Sequence, residues 1–301
     1  MEIKDFNNCT ENMLTYGGHA GAKLGIIIDG ENWFLKFPKS TRTLRKKVDM
    51  SYSTSPLSEY IGSHIYESID IPVHKTMLGI RDNKLVVACK DFRNDISKII
   101  FEDYNSIYNI YVSGLDEKLS SITSSSNHTV DLNEIMIIME NNPRFINTKG
   151  LKDRFWDMFI VDALIGNNDR NNGNWGVLIN NDTKKIEIAP VFDNGASFGN
   201  NTDDLKIEKI LSDKEKFENS AYLSRICAFS INDKIINPFK YIESLENDEC
   251  NKALLRIVPK IDLSKIYDII NDIPNEYEGI KVISDIRKKY YFECIKYRYE
   301  N

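Results

Sequence analysis

The chain has 301 residues, enough to bury a large core and to form two domains or two lobes of one unit. Its 42 % hydrophobic and 28 % charged content is ordinary for a globular protein, and 45 acidic against 39 basic residues leave a net charge of −6, which argues against broad electrostatic capture of nucleic acid or anionic membrane. Five scattered cysteines (Cys9, Cys89, Cys227, Cys250, Cys294) form no C-x-x-C pair, no apolar run reaches the roughly 18 residues of a membrane span, and the first residues lack a signal-peptide core, so the expected setting is the cytoplasm.

Residues 24–28 and 33–37 are apolar, β-rich runs joined through Asp29-Gly30, a strong hairpin signal. The polar, basic stretch 39–47 reads as a loop. A helix is predicted from Pro56, with Leu57, Tyr60, Ile61, Ile65 and Ile69 at helical spacing and Glu59 off that stripe. A second hairpin pairs 76–80 with 85–89 about the turn Arg81-Asp82-Asn83-Lys84.

From about Phe92 the pattern turns helical, and the Ser/Asn-rich stretch 120–128 reads as a loop. Residues 132–140 and 151–166 read as helices, the second with Trp156, Phe159, Ile160, Ala163 and Leu164 as its buried stripe. Two short strands, 175–179 and 185–189, follow. From Asp203 onward the periodicity is again helical, as in Ala253, Leu254, Ile257 and in Ile266, Ile269, Ile270. The expected fold is α+β and two-lobed: a small β-rich N-lobe of residues 1–91 and a larger, mostly helical C-lobe of residues 92–301.

The chemistry-bearing residues lie in an informative order. Phosphoryl transfer needs a cradle for phosphates, a cation on their oxygens, metal ligands and a carboxylate that orients the attacking hydroxyl. Asp169 and Asn174 stand in D-x-x-x-x-N spacing, and Asp193-Asn194-Gly195 follows after a hairpin's length of chain. Asp169 would accept or orient a substrate hydroxyl, while Asn174 and Asp193 offer oxygen to Mg²⁺, which prefers hard ligands. By itself the polar segment 167–174 also reads as a helix-to-strand turn, since Asn, Asp and Gly favour turns.

Lys36 lies in an otherwise apolar strand, and Glu59 on the next helix is its natural carboxylate partner. Gly17, Gly18, His19, Ala20, Gly21, Ala22 and Lys23 precede the first hairpin. Their glycines would let backbone N–H groups approach phosphate, although the segment matches no standard phosphate-loop spacing and reads equally as a tight turn. Cys89, Lys90, Asp91 and Phe92 end the second hairpin, where a hinge would meet an adenine edge. His19, His64, His74 and His128 show no metal-ligand spacing, and Asp153, Asp157 and Asp162 read as solvating or capping their helix.

The segments 156–159, 168–176 and 188–195, supported by 17–23, 36–38, 86–92 and 253–262, together resemble the HipA-like serine/threonine kinases, most of all the short CtkA-type branch. The resemblance runs over about residues 13 to 270. It implies a two-lobed kinase fold that uses ATP and Mg²⁺ to phosphorylate serine or threonine of a protein partner, often including itself. It makes Asp169 the catalytic aspartate, Asn174 and Asp193 the metal ligands, and Lys36 the phosphate-binding lysine. The 18–23 segment becomes the phosphate loop and Cys89 to Phe92 the hinge, while Asn171 replaces the family's usual histidine and sits with the nucleotide-binding residues. Longer members carry an additional N-terminal subdomain that contacts an antitoxin. This chain begins close to the phosphate loop, so an antitoxin or regulator is a partner the family allows without that contact. The serine that longer members autophosphorylate has no serine counterpart here, Thr15 and Tyr16 being nearest. No membrane and no direct nucleic-acid partner is expected. The competing readings are a lipid or small-molecule kinase and a nucleotide-binding toxin or regulatory module without turnover.

Overall fold

A computed structural model describes residues 1–17, 22–44, 47–93, 95–113 and 130–301. The first element is a six-stranded sheet of β1 (Lys4–Asp5), β2 (Thr10–Glu11), β3 (Lys23–Ile28), β4 (Glu31–Lys36), β5 (Thr76–Arg81) and β6 (Lys84–Lys90). Its order is β1-β5-β6-β4-β3-β2, antiparallel except for β1 on β5. Both predicted hairpins form, and for a local reason. Asp29 and Gly30 have φ of 52° and 78°, and Asp82 and Asn83 have φ of 50° and 55°. Two successive left-handed residues are what a two-residue hairpin turn requires, and Asp, Asn and Gly tolerate them best.

Alternation along the strands buries both faces of the sheet. Ile26, Trp33, Leu35, Val86 and Ala88 pack with Phe6 on one side. On the other, Leu78, Ile80, Val87 and Cys89 join Leu57, Ile61, Ile65 and Ile69 of α1 (Ser55–Ser68) in the main core. Helix α1 is buried well beyond its predicted stripe, because its second side lies against the segment around Asn194. Ser58 Oγ donates to the Ser197 carbonyl at 3.0 Å, and Asn194 Nδ2 donates to Ser63 Oγ at 3.1 Å. Glu59, placed on the free side of α1 by its spacing, is consequently fully buried.

After Phe92 the structure departs from the helical expectation. Residues Ile99–Asp103 form strand β7, and only then does helix α2 (Tyr104–Ser113) begin. A short apolar run cannot be assigned by periodicity alone, and here a distant partner decides. β7 pairs antiparallel with β9 (Gly176–Asn180), which also carries β10 (Ile186–Ile188). Residues 120–128, read as a loop, lie outside the described residues. Strand β8 (Val130–Asp131) leads into α3 (Leu132–Asn141) and the short α4 (Pro143–Ile146).

Helix α5 (Leu151–Ile165) is the axis of the helical part, with Phe155, Trp156, Phe159, Val161 and Ile165 among its buried residues. Gly166 ends it at φ 68°, a left-handed C-cap that turns the chain sharply into Asn167. The predicted outer positions Ala253, Ile257, Ile266 and Ile270 are buried in the same core. Among the described residues no helix is long and apolar enough to cross a membrane.

Candidate active site

Lys36 is the last residue of β4 and faces α1, opposite in direction to its neighbour Leu35. Its Nζ lies 2.6 Å from Glu59 Oε2 and 2.7 Å from Asp193 Oδ1. Burial pushes the ammonium toward its neutral form, but the carboxylates of Asp193 and then Glu59 outweigh that and hold it well above the ordinary lysine range. Burial likewise favours neutral Glu59, yet the Lys36 charge and the His74 hydrogen bond overcome it and hold the carboxyl well below its usual range. A buried pair of this kind is stable only when its remaining lone pairs are also satisfied. They are: Glu59 Oε1 accepts from His74 Nε2 at 2.8 Å and from the backbone N–H of Asn194 at 3.0 Å.

Asp193 has φ 59°, in the left-handed region that Asp tolerates and most side chains avoid. This conformation turns its carboxylate toward Lys36 while its successor's N–H reaches Glu59. The strand-like lead-in is held by Val191, whose N–H donates to the Pro72 carbonyl at 2.8 Å and whose carbonyl accepts from His74 N at 2.9 Å.

The polar segment after α5 is organised from below by Asp162 and Arg170. Asp162 Oδ1 accepts from Tyr66 Oη at 2.8 Å, Asn167 Nδ2 at 3.2 Å and Arg170 Nη2 at 3.0 Å, while Oδ2 takes Arg170 Nε at 2.7 Å. The same guanidinium donates to the carbonyls of Asn174 and Phe192 and to Asn194 Oδ1. Arg170 is 1 % exposed in a run of polar residues, so it is a structural clamp between the 167–174 segment and Asp193. Its charged state is favoured against burial chiefly by Asp162.

Asp169, next in the chain to Arg170, is exposed. Its Oδ1 accepts from Asn171 Nδ2 at 3.0 Å, and its carbonyl accepts from Asn174 Nδ2 at 2.7 Å. That second bond engages the Asn174 amide nitrogen and not its Oδ1. Neither this oxygen nor Asp193 Oδ2 is used in a hydrogen bond among the described residues. The two residues therefore offer an amide and a carboxylate oxygen, the hard donor set that suits a divalent cation such as Mg²⁺.

The remaining predicted residues divide. Lys23 pairs in register with Lys36, donates to the Gly17 carbonyl and lies 5.8 Å from the Phe34 ring centroid. Burial and then repulsion from Lys36 lower its pKa. The Ala22 carbonyl accepts from Phe37 N at 3.0 Å. Gly18, His19, Ala20 and Gly21 lie outside the described residues. Cys89 is fully buried beside Glu59, and its thiol is pushed well above the ordinary range by burial. Lys90 turns outward to Glu31 at 2.6 Å, and Asp91 is taken by Arg93 at 2.6 Å. Phe92 packs against Phe101 and Phe192, with centroids 5.5 Å away in each case.

Sequence reasoning missed three residues of this network. Asp162 is buried, not solvating; the available signal was a lone carboxylate within the apolar run 159–165. Asp157 and Asp153 do sit at the surface side, both paired with Arg256 at 2.8 and 3.2 Å. Arg170 and His74 gave no signal, since their partners are distant in the chain.

No family model matches the chain. It is 36 % identical over 276 residues to the serine/threonine-protein kinase CtkA of Helicobacter pylori (strain J99), covering 91 % of this chain and 80 % of the relative. The crystal structure of a Helicobacter pylori proinflammatory kinase CtkA superposes with a TM-score of 0.85 at 33 % identity, over 99 % of this chain and 94 % of that one. HipA from the Shewanella oneidensis MR-1 HipA–HipB–operator DNA complex matches with a TM-score of 0.55 at 14 % identity, over 98 % of this chain and 66 % of that one, a likeness of fold. The two-lobed α+β fold expected from the sequence is thus that of CtkA, shared in outline with HipA, and the chain belongs to the CtkA-type serine/threonine-protein kinases.

Proposed function

We propose that this kinase transfers the γ-phosphoryl group of ATP to serine or threonine hydroxyls of a protein, its own included, with Asp169, Lys36, Asn174 and Asp193 as the working residues. The carrying observation is the buried Lys36 ammonium held between Glu59 and Asp193 at 2.6 and 2.7 Å. A lysine so fixed presents a full positive charge at a defined point, ready to exchange its Asp193 contact for phosphate oxygens. Asp169 accepts or orients the proton of the attacking hydroxyl through its carboxylate, whose position Asn171 sets. Asn174 and Asp193 would hold Mg²⁺ through their side-chain oxygens, and that ion would supply charge neutralisation on the phosphates. Lys23 adds a second cation at the mouth of the phosphate segment, and the 89–92 connection meets the base. The division into a lobe of residues 1–91 and one of 92–301 is supported by the last sheet-side bond, Asp91 N to the Asn32 carbonyl at 2.9 Å.

A protein acceptor is preferred to a lipid because the relative at 36 % identity is named a serine/threonine-protein kinase. The test is incubation with labelled ATP, Mg²⁺ and protein substrates, followed by phosphoamino-acid analysis and mapping of the enzyme's own sites. Wild type should yield phosphoserine or phosphothreonine, and Asp169→Asn should lose about 100-fold or more in rate, the scale of general-base catalysis. Equal rates for the two proteins would overturn the assignment.

A further inference from the structure

We propose that His74 is a positioning residue for the phosphate-binding lysine, acting through Glu59; the inference rests on the role assigned to Lys36 above. His74 is 3 % exposed and lies just before β5, outside the residues that carry the kinase motifs. Its backbone and its side chain reach two different parts of the site. The backbone N–H donates to the Val191 carbonyl at 2.9 Å, two residues before Asp193, and Val73 forms a parallel bridge with Val191. The side-chain Nε2 lies 2.8 Å from Glu59 Oε1.

The geometry gives this contact a specific task. A carboxylate can turn about its terminal torsion, which is broad and shallow. Glu59 cannot turn freely, because Oε1 accepts two donors, His74 Nε2 and Asn194 N, while Oε2 faces Lys36 Nζ. His74 Nδ1 is buried with no hydrogen-bond partner among the described residues. The tautomer that fits carries its proton on Nε2, leaving a bare acceptor at Nδ1 instead of a bare buried N–H. The ring is therefore a one-way donor to Glu59.

The same neighbourhood could be mistaken for a metal centre. Ligand atoms of Glu59, His74 and Cys89 all lie within 4.8 Å of one another. A cation there would have to displace the Lys36 ammonium from Glu59, and burial disfavours the thiolate that Cys89 would need to supply. Orientation of Glu59 accounts for the cluster without one.

Two amides of equal polarity and different reach separate the alternatives. Gln at position 74 extends its N–H donor to about where Nε2 now sits, whereas Asn stops short of Glu59. His74→Asn should lose about tenfold in kcat/KM for ATP, the scale of losing one hydrogen bond to a charged group. His74→Gln should stay within about threefold of wild type, since it keeps a donor to the same carboxylate. In a Glu59→Met background, exchanging Asn for Gln at 74 should change little, since the acceptor they differ in reaching is gone. Equal losses in His74→Asn and His74→Gln, or the same gap between them in the Glu59→Met background, would show a packing role only and overturn the proposal. Lys36→Met assayed in parallel keeps the premise separate: full activity there refutes the lysine assignment, while a dead Lys36→Met with a fully active His74→Asn refutes only the role of His74.

Discussion

Arg170 places Nε and Nη2 on the two carboxylate oxygens of Asp162, at 2.7 and 3.0 Å, in a pocket where the arginine is 1 % and the aspartate 4 % exposed. The pair lies beneath the exposed Asp169 and joins three pieces of chain: the end of α5, the segment 167–174, and the residues flanking Asp193. The chemistry proposed for Asp169 would thus depend on an ion pair almost wholly withdrawn from solvent.

Arg170→Leu should cost about 3–5 kcal/mol of folding stability, because it strands a buried carboxylate and releases three further acceptors. Arg170→Lys should rescue little, since an ammonium cannot span both Asp162 oxygens and the Asn174, Phe192 and Asn194 acceptors together. Urea unfolding of the three proteins is the measurement. A loss under about 1 kcal/mol in either variant would mean the clamp is replaceable.

The Lys36–Glu59 pair predicts a pH signature. The Glu59 carboxyl is held below its ordinary value of 4.5, so its contribution to stability is complete above that value and is lost as pH falls below it. In Lys36→Met the ammonium that offsets burial is gone, and burial then favours the neutral acid. That variant should be destabilised most near neutral pH, and its deficit against wild type should shrink as pH falls from about 7 to about 4. The urea midpoints of both proteins across this range test it, and a deficit that stays constant with pH would contradict it.

The contrast between these two ion pairs and the hairpins shows where the sequence is readable. Asp29-Gly30 and Asp82-Asn83 announce their turns because the left-handed conformation they adopt is a property of those residues. The D-x-x-x-x-N spacing of Asp169 and Asn174 is equally local. Burial of Glu59 is not, because it follows from Asn194 lying against the far side of α1, and neither chain spacing nor helical period reports that contact. Ile99–Asp103 was likewise unreadable as a strand, since its only strand partner among the described residues is the distant Gly176–Asn180. What was legible is what neighbouring residues decide; what was hidden is what packing decides.

Gly62 shows that packing at work. A Cβ there would stand 2.8 Å from Asn194 Cβ and 3.3 Å from Ile165 Cδ1. In a free helix Gly→Ala gains about 1 kcal/mol, whereas overpacking a tight interior costs about 1–3 kcal/mol. The clash involves a Cβ, which cannot rotate away, so the cost should win and Gly62→Ala should lower the melting temperature. Because α1 carries Glu59, its displacement should also weaken ATP use, raising KM by several-fold. A more stable and fully active variant would show that α1 can shift without cost.

Asn171 is the last test, because its side chain touches the carboxylate of Asp169. Its Oδ1 accepts from Gly173 N at 3.0 Å, which fixes the amide so that Nδ2 points at Asp169 Oδ1, also at 3.0 Å. The side chain is thus a donor that holds the carboxylate of Asp169 in one orientation. Asn171→Ala removes a hydrogen bond to a charged group, worth about 1.5–3 kcal/mol, and should cost about tenfold or more in kcat if most of that is expressed in the transition state. KM for ATP should change little, since Lys36 and Asp193 are untouched. Asn171→Asp should be worse than alanine, because it sets a second negative charge at hydrogen-bond distance from the first. Asn171→His can supply one ring N–H to the same oxygen and should recover activity toward wild type. If alanine, aspartate and histidine all give the same kcat, Asp169 is oriented by something other than residue 171.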